Sequence, residues 1–353
     1  MRIGVPGEIK IQEGRVALIP DAVDELIRHD HQVFIQSGAG EYSGYDDEAY
    51  RAHGAQIVAT AEELFEAAEL IVKVKEPQPG ELEHLRADHV LFSYLHLAAA
   101  PQLTRALRDI GLTAVAFETV IDAHHRLPLL APMSDIAGRI ASQTGSNLLY
   151  HHRGGRGVLL GGVPATERGQ VVILGAGVAG TSAARMAAGM GAQVTVFDHD
   201  RDKLQQARLI GPNVTGRHAY TRAIEAAVPS ADLLIGAVLI PGAKAPHLVS
   251  AETVRQMPAG SVIIDISVDQ GGCIETTRAT SYEEPTFLWE GVLHYGVTNM
   301  PGAVPRTASQ ALSAALVPYI LRLAEPGWEN QPDLAAGLNL RAGRVLLAAL
   351  QSM

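Results

Sequence analysis

The segment from Val171 to Asp198 constrains the fold more than any other part of the chain. It begins VVILGAGVAG, an apolar run of strand length followed by Gly175, Gly177 and Gly180. In a strand-turn-helix unit, the first of three such glycines permits the tight turn and the second lets the backbone approach a pyrophosphate. The third lets the helix pack on the strand. The helix would begin near Val178 and Ala179 and offer its N-terminus to phosphate. TSAARMAAGMG continues that helix, and AQVTVFD is a second strand ending in Asp198, about twenty residues past the glycines, where an acid meets a ribose hydroxyl. A carboxylate repels a 2′-phosphate, so the pattern predicts NAD rather than NADP as cofactor.

At 353 residues, 47% of them hydrophobic, the chain fits two globular domains of ~100–200 residues each. A formal charge of -10 without any basic run argues against nucleic acid as a partner. The N-terminus MRIGVPGEIK lacks the apolar core of a signal peptide. No run reaches the ~18 apolar residues of a membrane span, so the expectation is a cytoplasmic protein without a membrane partner. The single cysteine, Cys273, excludes an internal disulfide and a cysteine-built metal site. The doublets His124-His125 and His151-His152 have no partner at metal-ligand spacing and read as solvated loop residues, so no metal is expected.

Before the glycine turn the chain alternates strand and helix. MRIGVP is a short strand, and the loop GEIKIQEGR delivers Arg15 ahead of VALIP. A lone arginine there is either a solvated surface group or a bidentate clamp for a carboxylate. LIVKVKEP reads as a strand ending at Pro77, with Lys73 and Lys75 two apart on one face. Only five lysines occur in the chain, so two on an apolar strand are there for something other than solubility, unless they guard an edge strand. HVLFSYLHLAA is a strand that gives way to helix near Ala98, with His96 at the change. By itself His96 reads as a hydrogen-bonded core histidine, or as a group suited to proton exchange near neutral pH. Beyond Asp198, SVIIDISVDQGGC reads as a strand containing Asp265, with Asp269 just past its end. Asn299 ends the strand VLHYGVTN, and TASQALSAALVPYILRLA is a helix that would return the chain to the first domain.

These blocks, taken together, are similar to the alanine dehydrogenase family, which includes the N-terminal part of proton-translocating nicotinamide nucleotide transhydrogenase. The resemblance spans almost the whole chain. It rests on GEIKIQEGRVALIP, LIVKVKEP, LFSYLHLAA, LPLLAPMSDIAGR, GGRGVLLGGVP, VVILGAGVAG, IGAVLIPGAKAP, DISVDQGGC and HYGVTNMPGAVPRT in that order. It implies an α/β fold of two Rossmann-like domains with doubly wound, mostly parallel sheets and the active site in the interdomain cleft. The substrate domain would be discontinuous, 1–128 plus 306–353, around an NAD-binding domain at 129–305.

By the same resemblance, Arg15 and Lys75 hold the substrate carboxylate and carbonyl oxygen, His96 is the acid/base, and Asp269 is the second catalytic group. Tyr94, Met133, Asn299 and Met300 flank these positions and would shape a small substrate pocket. Besides the glycine turn with Val178 and Ala179, the cofactor would touch Ser134, Asp198, Lys203, Tyr220, Leu239, Ile240, Ser267, Val268, Asp269, Arg278, Thr298, Asn299, Met300 and Pro301. Tyr220 departs from the family pattern, which has a small hydroxyl residue there. The implied reaction is reversible oxidative deamination of L-alanine to pyruvate and ammonium, commonly in a homohexamer. A transhydrogenase-like subunit, an opine-forming or lysine-forming dehydrogenase, and a non-catalytic NAD-binding protein are the alternatives.

Overall fold

A computed structural model describes residues 1–238 and 245–347 and shows two units: Met1–Met133 with Gly302–Met353, and Ser134–Pro301. In the first unit the strands are β1 (Arg2–Val5), β2 (Gln32–Gln36), β3 (Gln56–Val58), β4 (Leu70–Val72), β5 (Val90–Ser93) and β6 (Thr113–Ala116). They pair in parallel in the order β3-β2-β1-β4-β5-β6. The runs LIV and TAVA are nearly continuous apolar stretches because a parallel sheet is covered on both faces and has no polar side to show.

In the second unit the strands are β7 (Gln170–Leu174), β8 (Gln193–Asp198), β9 (Val214–His218), β10 (Leu233–Gly236), β11 (Val262–Asp265), β12 (Thr286–Trp289) and β13 (Val292–Tyr295). Their order is β9-β8-β7-β10-β11-β13, all parallel, with β12 antiparallel at the outer edge. Val172, Leu174, Phe197, Leu234 and Ile263 meet in its core. Both parallel sheets therefore have the doubly wound order 3-2-1-4-5-6, with one reversal point each.

The helix Pro305–Leu323 belongs to the first unit and buries Ala308, Leu312, Leu316 and Ile320 along one stripe. Next to that stripe, Ser309 Oγ accepts a hydrogen bond from Val16 N at 2.9 Å and Ser313 Oγ one from Ile19 N at 3.1 Å. The chain ends its described course in β14 (Leu338–Arg341) and β15 (Arg344–Val345). β14 lies antiparallel against β6, so the LNLRAGRV stretch extends the sheet rather than trailing from it. No helix among the described residues is long and apolar enough to cross a membrane.

The structure corrects several sequence expectations. β4 stops at Val72 instead of Pro77, and it lies between β1 and β5 in mid-sheet, so Lys73 and Lys75 guard no edge. Backbone pairing does continue briefly, since Lys73 N reaches Phe92 O and Tyr94 N reaches Val74 O. The strand expected to contain Asp265 and to run on until just before Asp269 ends at Asp265 itself, the point at which that acid turns its carboxylate onto the following loop.

Candidate active site

Ligands of open parallel sheets bind past the carboxyl ends of the strands where the strand order reverses. In the first unit that point lies between β1 and β4. The loop after β1 carries Glu8, Glu13 and Arg15, the segment after β4 carries Lys73 and Lys75, and the loop after β5 carries His96. Arg15 is 2% exposed, which overturns the solvated reading. Its Nε donates to Glu13 Oε1 at 2.7 Å, its Nη2 donates to Glu13 Oε2 at 2.5 Å, and its Nη1 lies 3.1 Å from Met133 Sδ. Burial pulls the guanidinium pKa down, yet the bonded Glu13 carboxylate outweighs it and leaves the group more firmly charged than usual. Glu13 was not singled out by the sequence; its spacing of two from Arg15 is the only local signal.

Lys75 is half-buried, and no ion pair to it occurs among the described residues. Burial lowers its pKa, Arg15 and Lys10 lower it further, and Glu76 and Glu13 oppose them. Glu76 pairs with Lys10, while its Oε2 is buried without a hydrogen-bond partner among the described residues. Lys73 has a different environment: its ammonium sits between Glu8 and Glu81, and all three side chains are at most 4% exposed. The two lysines expected to act alike therefore differ in their partners and burial.

His96 is not a core histidine. Its side chain is 48% exposed and its backbone is left-handed at φ +48°. Glu118 holds that conformation, accepting from His96 N at 2.6 Å and from Leu95 N at 3.3 Å, with its Oε1 3.9 Å from His96 Nδ1. The imidazole lies nearly parallel to the Tyr94 ring, 6.1 Å between centroids. Tyr94 is buried, donates its hydroxyl to Leu129 O at 2.6 Å and packs edge-on against Phe117. Burial, the dominant influence, pushes its phenol pKa up.

The second unit builds its reversal point from backbone. Gly175 has φ +98°, and a Cβ there would lie 2.5 Å from Ala237 O; at Gly180 it would lie 1.8 Å from Gly175 O. At Gly177, which caps the helix Val178–Gly189, a Cβ would meet nothing within 4 Å. The turn is thus closed against the protein at Gly175 and Gly180 and open at Gly177. That is the cradle a pyrophosphate needs. Val178 is exposed and Ala179 half-buried beside it. Asp198 ends β8 and reaches back to the turn, its Oδ2 accepting from Ala176 N at 2.7 Å and its Oδ1 from Asp200 N at 2.9 Å. Gly138 was not anticipated, yet a Cβ there would lie 2.1 Å from Ala179 O. The helix Ala131–Leu148, with Ser134 in its first turn, presses onto the glycine turn at that point.

The remaining positions are spread along the same strand ends. Lys203 is exposed on the helix Arg201–Arg208, and Tyr220 is 67% exposed with its ring 4.4 Å from that of His218. Ser267 Oγ donates to Val238 O at 2.7 Å and accepts from Val238 N at 3.0 Å, tying the loops after β10 and β11 together. Val268 is buried, and Asp269 is exposed in the turn Val268–Gln270. Asp265 holds that turn in place, accepting from Ser267 N, Cys273 N and Ile274 N at 2.8–3.2 Å. Arg278 lies over the Phe287 ring at 4.5 Å, and Thr298 is exposed. Asn299 is left-handed at φ +59°, Met300 is buried with its carbonyl accepting from Tyr282 Oη at 2.7 Å, and Pro301 is half-buried. Leu239 and Ile240 lie outside the described residues. Arg15, Lys75, Tyr94, His96 and Met133 thus belong to the first unit, and Asp269, Asn299 and Met300 to the second.

Residues 4–137 match the family described as alanine dehydrogenase/PNT, N-terminal domain, and residues 141–348 match its C-terminal domain. The chain belongs to the alanine dehydrogenase/PNT family. It is 50% identical to the alanine dehydrogenase of Mycobacterium tuberculosis (strain ATCC 25618 / H37Rv), covering 98% of this chain and 95% of that protein. A solved L-alanine dehydrogenase superposes with a TM-score of 0.95 at 51% identity, over 100% of this chain and 98% of the other. A transhydrogenase from Sinorhizobium meliloti superposes at 0.86 with 25% identity, over 99% of this chain and 100% of that one. The dehydrogenase and transhydrogenase branches of the alanine dehydrogenase/PNT family therefore share this fold, and sequence identity sets the chain with the former.

Proposed function

We propose that the protein is an NAD-dependent L-alanine dehydrogenase, converting L-alanine, NAD and water to pyruvate, ammonium, NADH and a proton. The observation that carries this reading is the pairing of two cations, Arg15 and Lys75, at the reversal point of the first sheet, with His96 on the loop after the adjacent β5, on a chain half identical to alanine dehydrogenases. Such a pair suits a small 2-amino or 2-oxo acid: Arg15, oriented by Glu13, offers a fixed charge for the carboxylate. Lys75, which burial makes reluctant to keep its proton, gains most from an arriving anion. It would stabilise negative charge developing on the substrate oxygen.

His96 would act as the acid/base, taking a proton as water adds at Cα and returning one as ammonia leaves. The half-exposed imidazole can exchange that proton with solvent, and the Glu118 contact keeps its backbone in the left-handed turn. Asp269 would orient the water or ammonia and balance charge. Gly175, Gly177, Val178, Ala179 and Gly180 would hold the cofactor pyrophosphate, with Asp198 on the ribose. Ser134, Lys203, Tyr220, Leu239, Ile240, Ser267, Val268, Arg278, Thr298, Asn299, Met300 and Pro301 would line the rest. Bound NAD supplies the hydride acceptor. Tyr94, Met133 and Met300, all buried, would leave room for a side chain of about a methyl group.

NADH formation over a panel of amino acids tests the reading. L-alanine turns over fastest, and serine and 2-aminobutyrate follow at a reduced rate, since a methylene is worth only ~1–3 kcal/mol in such a pocket. Turnover of no amino acid, with hydride passing only between nucleotides, would place the chain with the transhydrogenase branch. A higher kcat/KM with NADP would remove the role given to Asp198.

A further inference from the structure

Lys73 is left without a task by the reaction just described, although it is more deeply buried than Lys75. A buried ammonium is expensive unless it is fully paired, and Lys73 is paired twice. Its Nζ lies 3.2 Å from Glu8 Oε2 and 2.7 Å from Glu81 Oε1. The two carboxylates hold it charged against the opposing effect of burial. Their other oxygens do something else. Glu8 Oε1 accepts from Val74 N at 2.6 Å and from Lys75 N at 3.3 Å, and Glu81 Oε2 accepts from Gln78 N at 2.8 Å. The backbone on both sides of Lys75 is therefore fastened to two buried carboxylates that share one ammonium. This happens where the chain has just left β4 and has few ladder bonds of its own to direct it.

We infer that Glu8 is a positioning residue for Lys75, with Lys73 as its counter-charge and Glu81 as the second anchor. This rests on the reading of Lys75 as a substrate-binding group. Lysine is long and flexible, with a large rotamer entropy, so its reach into a site depends on where its Cα is held. Glu8 holds it from the loop after β1, the same loop that carries Arg15. One loop would thereby set the separation of the two cations that hold the two ends of the substrate, Arg15 at its carboxylate and Lys75 at its carbonyl oxygen. Glu8 is not proposed to touch substrate or cofactor.

The test is steady-state pyruvate reduction by the full chain at saturating NADH and ammonium, with Glu8→Gln and Glu8→Asp. Glutamine removes the charge that pairs with Lys73 and turns an amide N–H₂ toward one of the donors. The expected result is a KM for pyruvate raised about tenfold, ~1.4 kcal/mol, with kcat and the NADH dissociation constant near wild type. Glu8→Asp keeps the charge and shortens the reach, and gives an intermediate KM. A wild-type KM for pyruvate in a folded variant would overturn the inference. So would a parallel loss of kcat and NADH affinity that tracks a lowered Tm, since that is what a purely structural pair produces. If Glu8→Gln does not fold, Glu8→Asp carries the comparison by the same criteria. Failure of the wild-type chain itself to reduce pyruvate would instead refute the proposed function.

Discussion

The two units share one strand order and fill its reversal point in opposite ways. In the first, the space past β1 and β4 holds Glu8, Glu13, Arg15, Lys73 and Lys75, buried or half-buried ionisable side chains that fix one another. In the second, the turn after β7 holds Gly175, Gly177 and Gly180, three residues that carry no side chain. The difference follows from what each would bind. A small carboxylate has too little surface to be gripped by backbone alone, so charges must be brought to it. A dinucleotide is long, and a turn stripped of Cβ atoms lets a helix N-terminus meet its phosphates directly. The same scaffold thus yields a site made of side chains and a site made of their absence.

That contrast can be broken most sharply at His96, where the first unit's chemistry is concentrated. His96→Ala should lower kcat for alanine by ~10²–10⁴-fold, the usual worth of general acid–base help. NADH binding, measured by fluorescence titration, should survive, because the cofactor turn lies in the other unit. Near-normal kcat would remove His96 from the mechanism. Arg15→Met comes next, because in a site made of paired side chains one deletion damages both function and fold. It leaves the Glu13 carboxylate buried without its guanidinium counter-charge, so the expected loss of stability is ~3–5 kcal/mol, read as a lower midpoint in denaturant, together with loss of alanine turnover. A variant of unchanged stability would show that Glu13 finds another partner. The mildest effect is expected at Gly177→Ala. Its Cβ would enter open space, so thermal stability should stay at wild type while NADH affinity falls about tenfold, ~1.4 kcal/mol. A drop in stability without a change in affinity would contradict the ligand-facing assignment of that glycine.

The second unit was the more legible in sequence, and the contrast explains why. A glycine turn is a local requirement: three residues, their spacing and the acid at Asp198 state the geometry within thirty positions. The first unit's site depends on pairs that local pattern cannot show. Lys73 and Lys75 look equivalent in KVK, and only Glu8 and Glu81, at other places in the chain, set the doubly paired lysine apart from its neighbour. Arg15 reads as surface or clamp until Glu13 and burial decide. His96 follows a strand and resembles a core histidine, but its left-handed backbone lifts the imidazole toward solvent, and Glu118, twenty-two residues on, maintains that turn. The misjudged end of β4 has the same origin, since an apolar run does not reveal where carboxylates will take over from a neighbouring strand as hydrogen-bond acceptors.

The hydroxyls of Ser309 and Ser313, which receive the amides of Val16 and Ile19 at the C-terminal end of the first unit's cation loop, carry a consequence for biogenesis. Those acceptors are 293 and 294 residues downstream of their donors. At a translation rate of ~5–20 residues per second, the loop waits roughly 15–60 s for them. The second unit is contiguous, and every strand of its sheet has been made by Tyr295. Maturation is therefore nested: the glycine turn can acquire its whole sheet while the cation loop is still a partial structure, and the chain made first is the last to be secured.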